Sequence, residues 1–429
     1  MPATPTRPLC HRQSMRLFAV IGAALCVLAT LPAGAVGAAT PFVVDDTTDA
    51  VDASPGDGVC RTSQGTCTLR AAIMEANATA SHSTILVPAG HYRITILPIL
   101  RDYLADNGDF VDDDSMGDLD ISTPMTIRGA GARHTIIDGN GIDRVFNVLR
   151  DGGPTTISDV TITGGHTHER NSIPQHTGGG GIGNAADLRV ERTTITGNVA
   201  GFGGGVFNTP TGTLTLVDST VSDNVAGEAG GIRFDAAGTV VNSTISGNRV
   251  YNFREVIRPG GLAGKGGGVD VRGRRTVEFI NSTITDNLAA DDGGGINISL
   301  AYIDILQPAF TDALPDSLGG TVRLTNTIVA GNRDRLGPND CGATAATFAS
   351  GGGNLDGDGT CWLDDPTDRP GTTALHLGPL QDNGGPTDTH ALGRRSPAIG
   401  TGVISECPAE DQRGSVRRRG CDTGAYQRH

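Results

Sequence analysis

The chain has almost no lysine. Of its 33 basic residues Lys265 is the only Lys, and the rest are Arg. Aromatic residues make up 4% of the 429 positions, with a single Trp, so any core is built from Ile, Val, Leu and Ala. No run beyond the first 40 residues or so approaches the ~18 apolar residues that span a bilayer. No C-x2-C pair occurs, which removes the common structural zinc sites. A basic face is missing as well. With 47 acidic residues and a formal charge of −14, the chain lacks the electrostatic footprint of a nucleic-acid binder. What is abundant is glycine, at 63 residues. Gly costs a helix ~1 kcal/mol per position, which excludes a helical bundle, and the absence of a G-x-y period excludes collagen.

The N-terminus reads as an export signal. Arg7, Arg12 and Arg16 precede an apolar run from Leu17 to Leu31, and small residues follow through Ala38. This is the n-region, h-region and cleavage site of a secretory leader spanning 1–39. Secretion, free or to the cell surface, is the expected destination, and no membrane-spanning segment is expected in the mature chain. Export places the six cysteines outside the leader in an oxidising compartment. Six allow fifteen connectivities. They fall as local couples, so the expected bridges are Cys60–Cys67, Cys341–Cys361 and Cys407–Cys421.

The middle of the chain repeats. Arg192-Thr-Thr-Ile-Thr-Gly-Asn198, Asp218-Ser-Thr-Val-Ser-Asp-Asn224, Asn242-Ser-Thr-Ile-Ser-Gly-Asn248, Asn281-Ser-Thr-Ile-Thr-Asp-Asn287 and Asn326-Thr-Ile-Val-Ala-Gly-Asn332 are copies of one unit. Glycine runs and a short strand follow most of them. The apolar position recurs at Ile162, Ile195, Val221, Ile245, Ile284 and Val329, in steps of 33, 26, 24, 39 and 45 residues. A base step near 24 residues with β-branched, alternating segments signals a solenoid of short strands. The expectation is an all-β, right-handed parallel β-helix over residues 84–345. Its Ile and Val stack in an internal file, and Asn198, Asn224, Asn248, Asn287 and Asn332 stack as an asparagine ladder at one turn.

A solenoid needs its ends covered. Residues 40–83 carry a helix signal, Thr68 to Asn77, with Leu69, Ala72, Ile73 and Ala76 on one face and Thr68 as the N-cap. Asp57-Gly-Val-Cys60 and Cys67-Thr-Leu-Arg-Ala-Ala72 resemble the CSLREA domain of bacterial surface proteins, although Ala71 stands where that family has the Glu of a capping box. Within residues 346–429, Asp382-Asn-Gly-Gly-Pro-Thr387, Thr389-His-Ala-Leu392, Ser396-Pro-Ala-Ile399, Asp411-Gln-Arg-Gly414 and Asp422-Thr-Gly-Ala-Tyr426 occur in order. This string is similar to the choice-of-anchor Q domain. The resemblance implies a pectin-lyase-like β-helix closed by a disulfide-bonded C-terminal module, and it implies no catalytic residues. Members usually end in an anchoring signal, and none is recognised before His429, so free secretion is the simpler expectation.

Steps longer than 24 residues mark insertions. One carries His166, His168, Glu169 and His176, and another runs from Arg249 to Lys265 with Tyr251, Arg254 and Arg258. Both follow the same turn of their coil and are expected on one edge, as candidate binding loops. A third insertion, 299–320, leaves from a different turn. Carboxylate-rich stretches suggest structural Ca2+, which takes six to eight oxygens. The candidates are Asp112, Asp114 and Asp118, and Asn354, Asp356 and Asp358. The expected function is non-catalytic: a monomeric β-helix that presents loops for adhesion, or for binding a glycan or cell-surface ligand. The alternative is a polysaccharide lyase or glycoside hydrolase, in which Arg254, Arg258, Lys265 and His168 would supply a base and a cation.

Overall fold

The computed structural model describes residues 40–79, 81–98, 114–167, 178–251, 264–273, 275–299, 320–343, 347–417 and 420–429. The leader at 1–39 lies outside them. The described chain is a right-handed parallel β-helix with three long sheets. Sheet 1 has ten strands, sheet 2 nine and sheet 3 eight. One coil shows the construction. Asp187–Glu191 lies in sheet 1, Thr194–Thr196 in sheet 2 and Ile182–Asn184 in sheet 3. Every rung within these sheets is parallel, for example Leu188 opposite Leu214 and Ile182 opposite Val206. A short three-stranded sheet, beginning with Val199–Phe202, bridges sheet 2 to sheet 3.

The internal file lies as the repeat predicts. Ile162, Ile195, Val221, Ile245, Ile284 and Val329 are register partners in successive strands of sheet 2, and all are fully buried. The asparagine ladder is equally regular. Each Nδ2 donates to the next Oδ1: Asn198 to Asn224 at 3.0 Å, Asn224 to Asn248 at 3.0 Å, Asn248 to Asn287 at 3.0 Å and Asn287 to Asn332 at 2.9 Å. Each Oδ1 also accepts the preceding asparagine's backbone N–H. Side chains thus satisfy backbone groups that the turn would otherwise bury unpaired. The glycine runs beside the ladder are required by close approach. A Cβ at Gly204 would lie 2.4 Å from the Gly230 oxygen, and Gly203 holds a φ of 56°.

At the N-terminal end the helix Leu69–Ala78 packs its apolar face on the core. Thr68 Oγ1 accepts the Ala71 N–H at 3.2 Å, so half of a capping box suffices here. Glu75, fully buried, instead accepts the Gly56 and Gly58 N–H groups, both at 2.6 Å. The buried Arg70 pairs with Asp49 at 2.7 Å. All three expected disulfides are present, Cys60–Cys67, Cys341–Cys361 and Cys407–Cys421.

The solenoid continues past residue 345, because Thr347–Ser350 and Leu355–Asp356 extend sheets 1 and 2 by a further coil. The chain after it packs Leu375, Leu392 and Ala398 on Ile328 and Leu355. It then runs back along the outer face of sheet 2. There Thr244 donates to Gln412 Oε1 at 2.6 Å, Ser246 Oγ lies 2.9 Å from His390 Nε2, and Thr283 Oγ1 accepts from Ala425. Much of the Ser/Thr file outside sheet 2 is therefore buried beneath the C-terminal module.

Candidate functional site

Strands of sheet 3 are short, with two inward residues flanking one outward position; the inward pair is apolar in most coils, with Asn184 and Asn208 as polar members of the second file. Ile232 and Phe234 point inward around Arg233, and Val269 and Val271 around Asp270. Register aligns the outward positions into one file: Asp120, Asn147, Gly183, Phe207, Arg233, Asp270, Asn297 and Gly342. The first inward position is apolar throughout, whereas the outward one changes from coil to coil. The outer surface of the coils is therefore not a uniform array of Ser, Thr and Asn. The signal was present in the second residue after each glycine run, which changes from Phe207 to Arg233, Asp270 and Asn297.

Charged groups on this face close on one another. Arg233 is bidentate to Asp235, at 2.7 and 2.9 Å, and reaches Glu228 at 3.5 Å. Its guanidinium lies 4.6 Å from the Phe202 ring centre and 5.1 Å from that of Phe207, within cation–π range. Arg272 joins Asp270 and Glu228, each at 2.6 Å. Burial alone would weaken its charge, but Asp270 and Glu228 outweigh that and raise its pKa. Farther along, Arg144 pairs with Asp118 at 2.6 Å, and Asn297 Nδ2 and Ser299 Oγ both donate to Asp270 Oδ1. Asn297 Oδ1, on a fully buried residue, has no hydrogen-bond partner among the described residues.

Four of the longer connections next to sheet 3 can be placed by the strands on either side of them. Residues 168–177 and 252–263 both leave between sheet 2 and sheet 3, the first after the His166–Val199 bridge and the second after Arg249–Val250. Residues 99–113 leave by the same edge, between Gly90–Arg93 of sheet 2 and Leu119–Ile121 of sheet 3. Residues 300–319 leave by the opposite edge, between Ile296–Ser299 of sheet 3 and Thr321–Thr325 of sheet 1. Of the candidate loop residues, His168, Glu169, His176, Arg254 and Arg258 lie outside the described residues. His166 donates its backbone N–H to Asp143 O at 2.9 Å, and Tyr251 donates its own to Ala226 O at 3.0 Å. Lys265 Nζ is 3.7 Å from Asp292 Oδ2.

The acidic stretches resolve differently. Asp112 lies outside the described residues. Asp114 accepts from Asn77 at 3.0 Å, and Asp118 is the partner of Arg144. Asp356 and Asp358 come together with Asp340, which sequence reasoning did not single out, with ligand atoms within 4.8 Å of one another. These three could hold a cation. Asn354 is committed elsewhere: its Nδ2 donates to Leu324 O, Ser350 Oγ and Asp368 Oδ1, and its Oδ1 accepts from Thr327 N. Burial pushes the Asp340 carboxyl up to about 7, with Asn332 hydrogen bonds opposing and the charges of Asp358 and Asp356 adding.

No family model matches the chain, and no curated protein does. Among solved structures the chain is similar to the pectate lyase Pel9A, at 13% identity and a TM-score of 0.43, covering 91% of this chain and 97% of that one.

Proposed function

We propose that this is an exported β-helix protein that binds a glycan or cell-surface ligand without cleaving it. The binding surface is the outer face of sheet 3 and the edge between sheets 2 and 3 at which residues 168–177 and 252–263 depart. The observation that carries this reading is the engagement of the cations among the described residues of the face. A lyase needs a group free to take a proton from its substrate. Arg233, Arg272 and Lys265 each lie on carboxylates, and Arg272 is held more firmly cationic by them. Hydrolysis needs two carboxyl groups with separate acid and base roles. Here Glu228, Asp235 and Asp270 are all committed to guanidinium groups.

A closed network of this kind is suited to recognition, because its donors and acceptors are positioned before a ligand arrives. Phe202, half-buried, adds apolar area beside it. Insertions on a rigid scaffold are a usual home for binding residues. Export is supported by the three disulfides and by the leader sequence, and no helix among the described residues is long and apolar enough to cross a membrane.

The test is a binding screen against acidic and neutral glycans, run on the wild type and on a variant lacking 168–177 and 252–263. Retention by the wild type and loss in the folded deletion variant is the expected result. Equal affinity of both proteins would remove this edge as the site.

A further inference from the structure

The residue after each ladder asparagine faces outward, and these residues form a file of their own. Val199, Val225, Arg249, Leu288 and Arg333 directly follow Asn198, Asn224, Asn248, Asn287 and Asn332, and they are bridged in that order. The ladder sets their spacing, because each N–H donates to the carbonyl of the asparagine one coil back. Arg249 donates to Asn224 at 2.8 Å, Leu288 to Asn248 at 2.9 Å and Arg333 to Asn287 at 2.9 Å. Ala226, Val250 and Ala289, the next residues along, are buried. Arg249, Leu288 and Arg333 are exposed, and neither guanidinium has a hydrogen bond or ion pair among the described residues. The two arginines stand two rungs apart, about 10 Å along the solenoid, with Leu288 between them. The file lies on the edge from which residues 252–263 depart, directly after Tyr251.

The charges beside the file alternate with it. Two positions earlier, across the ladder asparagine, the arginine coils carry Gly247 and Gly331, whereas the Val225 and Leu288 coils carry Asp223 and Asp286, both exposed. A ligand laid along the file thus meets a guanidinium, then Leu288 with a carboxylate in the same coil, then a second guanidinium. On sheet 3, by contrast, Arg233, Arg272 and Lys265 are already held by carboxylates. Resting on the reading of this edge as a glycan-binding surface, we propose that Arg249, Leu288 and Arg333 bind an acidic polysaccharide with one carboxylate on every second sugar. Two rungs are on the length scale of two pyranose rings in an extended chain, so carboxylates on alternate rings meet the two guanidinium groups, whose planar forks suit them. The neutral ring between them lays its C–H face on Leu288. A carboxylate on every ring would bring one to the coil of Asp286, where like charges repel, on a chain of formal charge −14.

Calorimetry of the full chain tests this with three hexasaccharides: hyaluronan, which carries glucuronate on every second ring, polygalacturonate, which carries a carboxylate on every ring, and neutral cellohexaose. Hyaluronan hexasaccharide should bind tightest. Arg249→Gln and Arg333→Gln should each weaken it about threefold, and the double variant about tenfold, with unchanged melting temperatures because both side chains are exposed. Asp286→Asn should narrow the preference over polygalacturonate, which a merely structural role for that residue would not do. Absence of hyaluronan binding overturns the inference, as does equal or tighter binding of polygalacturonate, or full affinity in the folded double variant. Binding of cellohexaose alone, lost when 168–177 and 252–263 are deleted, overturns this inference and leaves the proposed function standing. Retention of no glycan in the wider screen overturns both.

Discussion

Asp340 takes the place of the next asparagine in the ladder. Its Oδ1 accepts both the backbone N–H and the Nδ2 of Asn332, each at 2.9 Å, as each ladder amide does for the residue before it. The solenoid thus ends its ladder on a carboxyl placed beside Asp356 and Asp358.

This substitution makes stability depend on pH. Burial, the largest cause, raises the Asp340 pKa from 3.8 to about 7. The folded state therefore holds a proton that the unfolded state has released, and the stability this contributes is full below 3.8 and falls as pH rises toward about 7. Asp340→Asn keeps the acceptor and removes the titration. In chelator-containing buffer it should raise stability in mildly alkaline solution by about 1–3 kcal/mol and flatten that limb of the melting curve against pH. A variant with the wild-type slope would remove Asp340 as its source.

His390 gives a slope of the opposite sign. It is buried between Ser246 Oγ and Gly378 O, at 2.9 and 2.8 Å. Burial lowers its pKa below 6.5, against the Gly378 hydrogen bond and the charge of Asp286. The folded state resists protonation, so this contribution is present above 6.5 and is lost as pH falls from there through the lower folded value. Hydrogen exchange across Leu377–Gln381 and Thr389–Leu392 should quicken on acidification while the ladder strands stay protected. His390→Phe should blunt that response; an unaltered response would assign it to another group.

The core prediction concerns Ile245, fully buried between Val221 and Ile284. Ile245→Ala should cost about 2–4 kcal/mol, and Ile245→Asp should leave little folded protein, because it buries an unpaired charge. Denaturant melts decide this, and an Ala variant within about 0.5 kcal/mol of wild type would take Ile245 out of the core.

Disulfide reduction should act mainly at the C-terminal module. Cys407–Cys421 closes a loop with a sequence separation of 14, for which the chain-entropy model gives ~3 kcal/mol. Its sulfur also accepts from Asn281 Nδ2 at 3.3 Å. The Cys407→Ala/Cys421→Ala double variant should lose that amount and expose the module to protease first. Unchanged proteolysis would contradict the docking described here.

The β-helix was legible because its period is written in residue types. Ile195, Val221 and Ile245 recur with Asn198, Asn224 and Asn248, and the recurrence of the same residue types every 24 to 45 positions is what stacked coils leave in a sequence. Thr68 was legible for a local reason, since a cap bonds three residues away. Arg233, Asp270 and Asn297 were missed as a face because the same regularity drew attention to what repeats. A file that varies from coil to coil shows itself only once register is known. Asp340 was missed because its partners Asp356 and Asp358 are brought to it by the added coil beyond residue 345, which the repeat does not reveal. The return of residues 377–429 over sheet 2 was hidden too, because its contacts, such as Gln412 with Thr244, join positions 168 apart.

The most direct test of the central claim exposes the purified protein to a panel of acidic and neutral polysaccharides. Bound protein and newly formed reducing or unsaturated ends are measured in the same samples. The account predicts retention on at least one polymer with no new ends above a protein-free control, and weaker retention for Arg272→Ala, which unlinks Asp270 from Glu228. New ends that grow with time and protein concentration would contradict it.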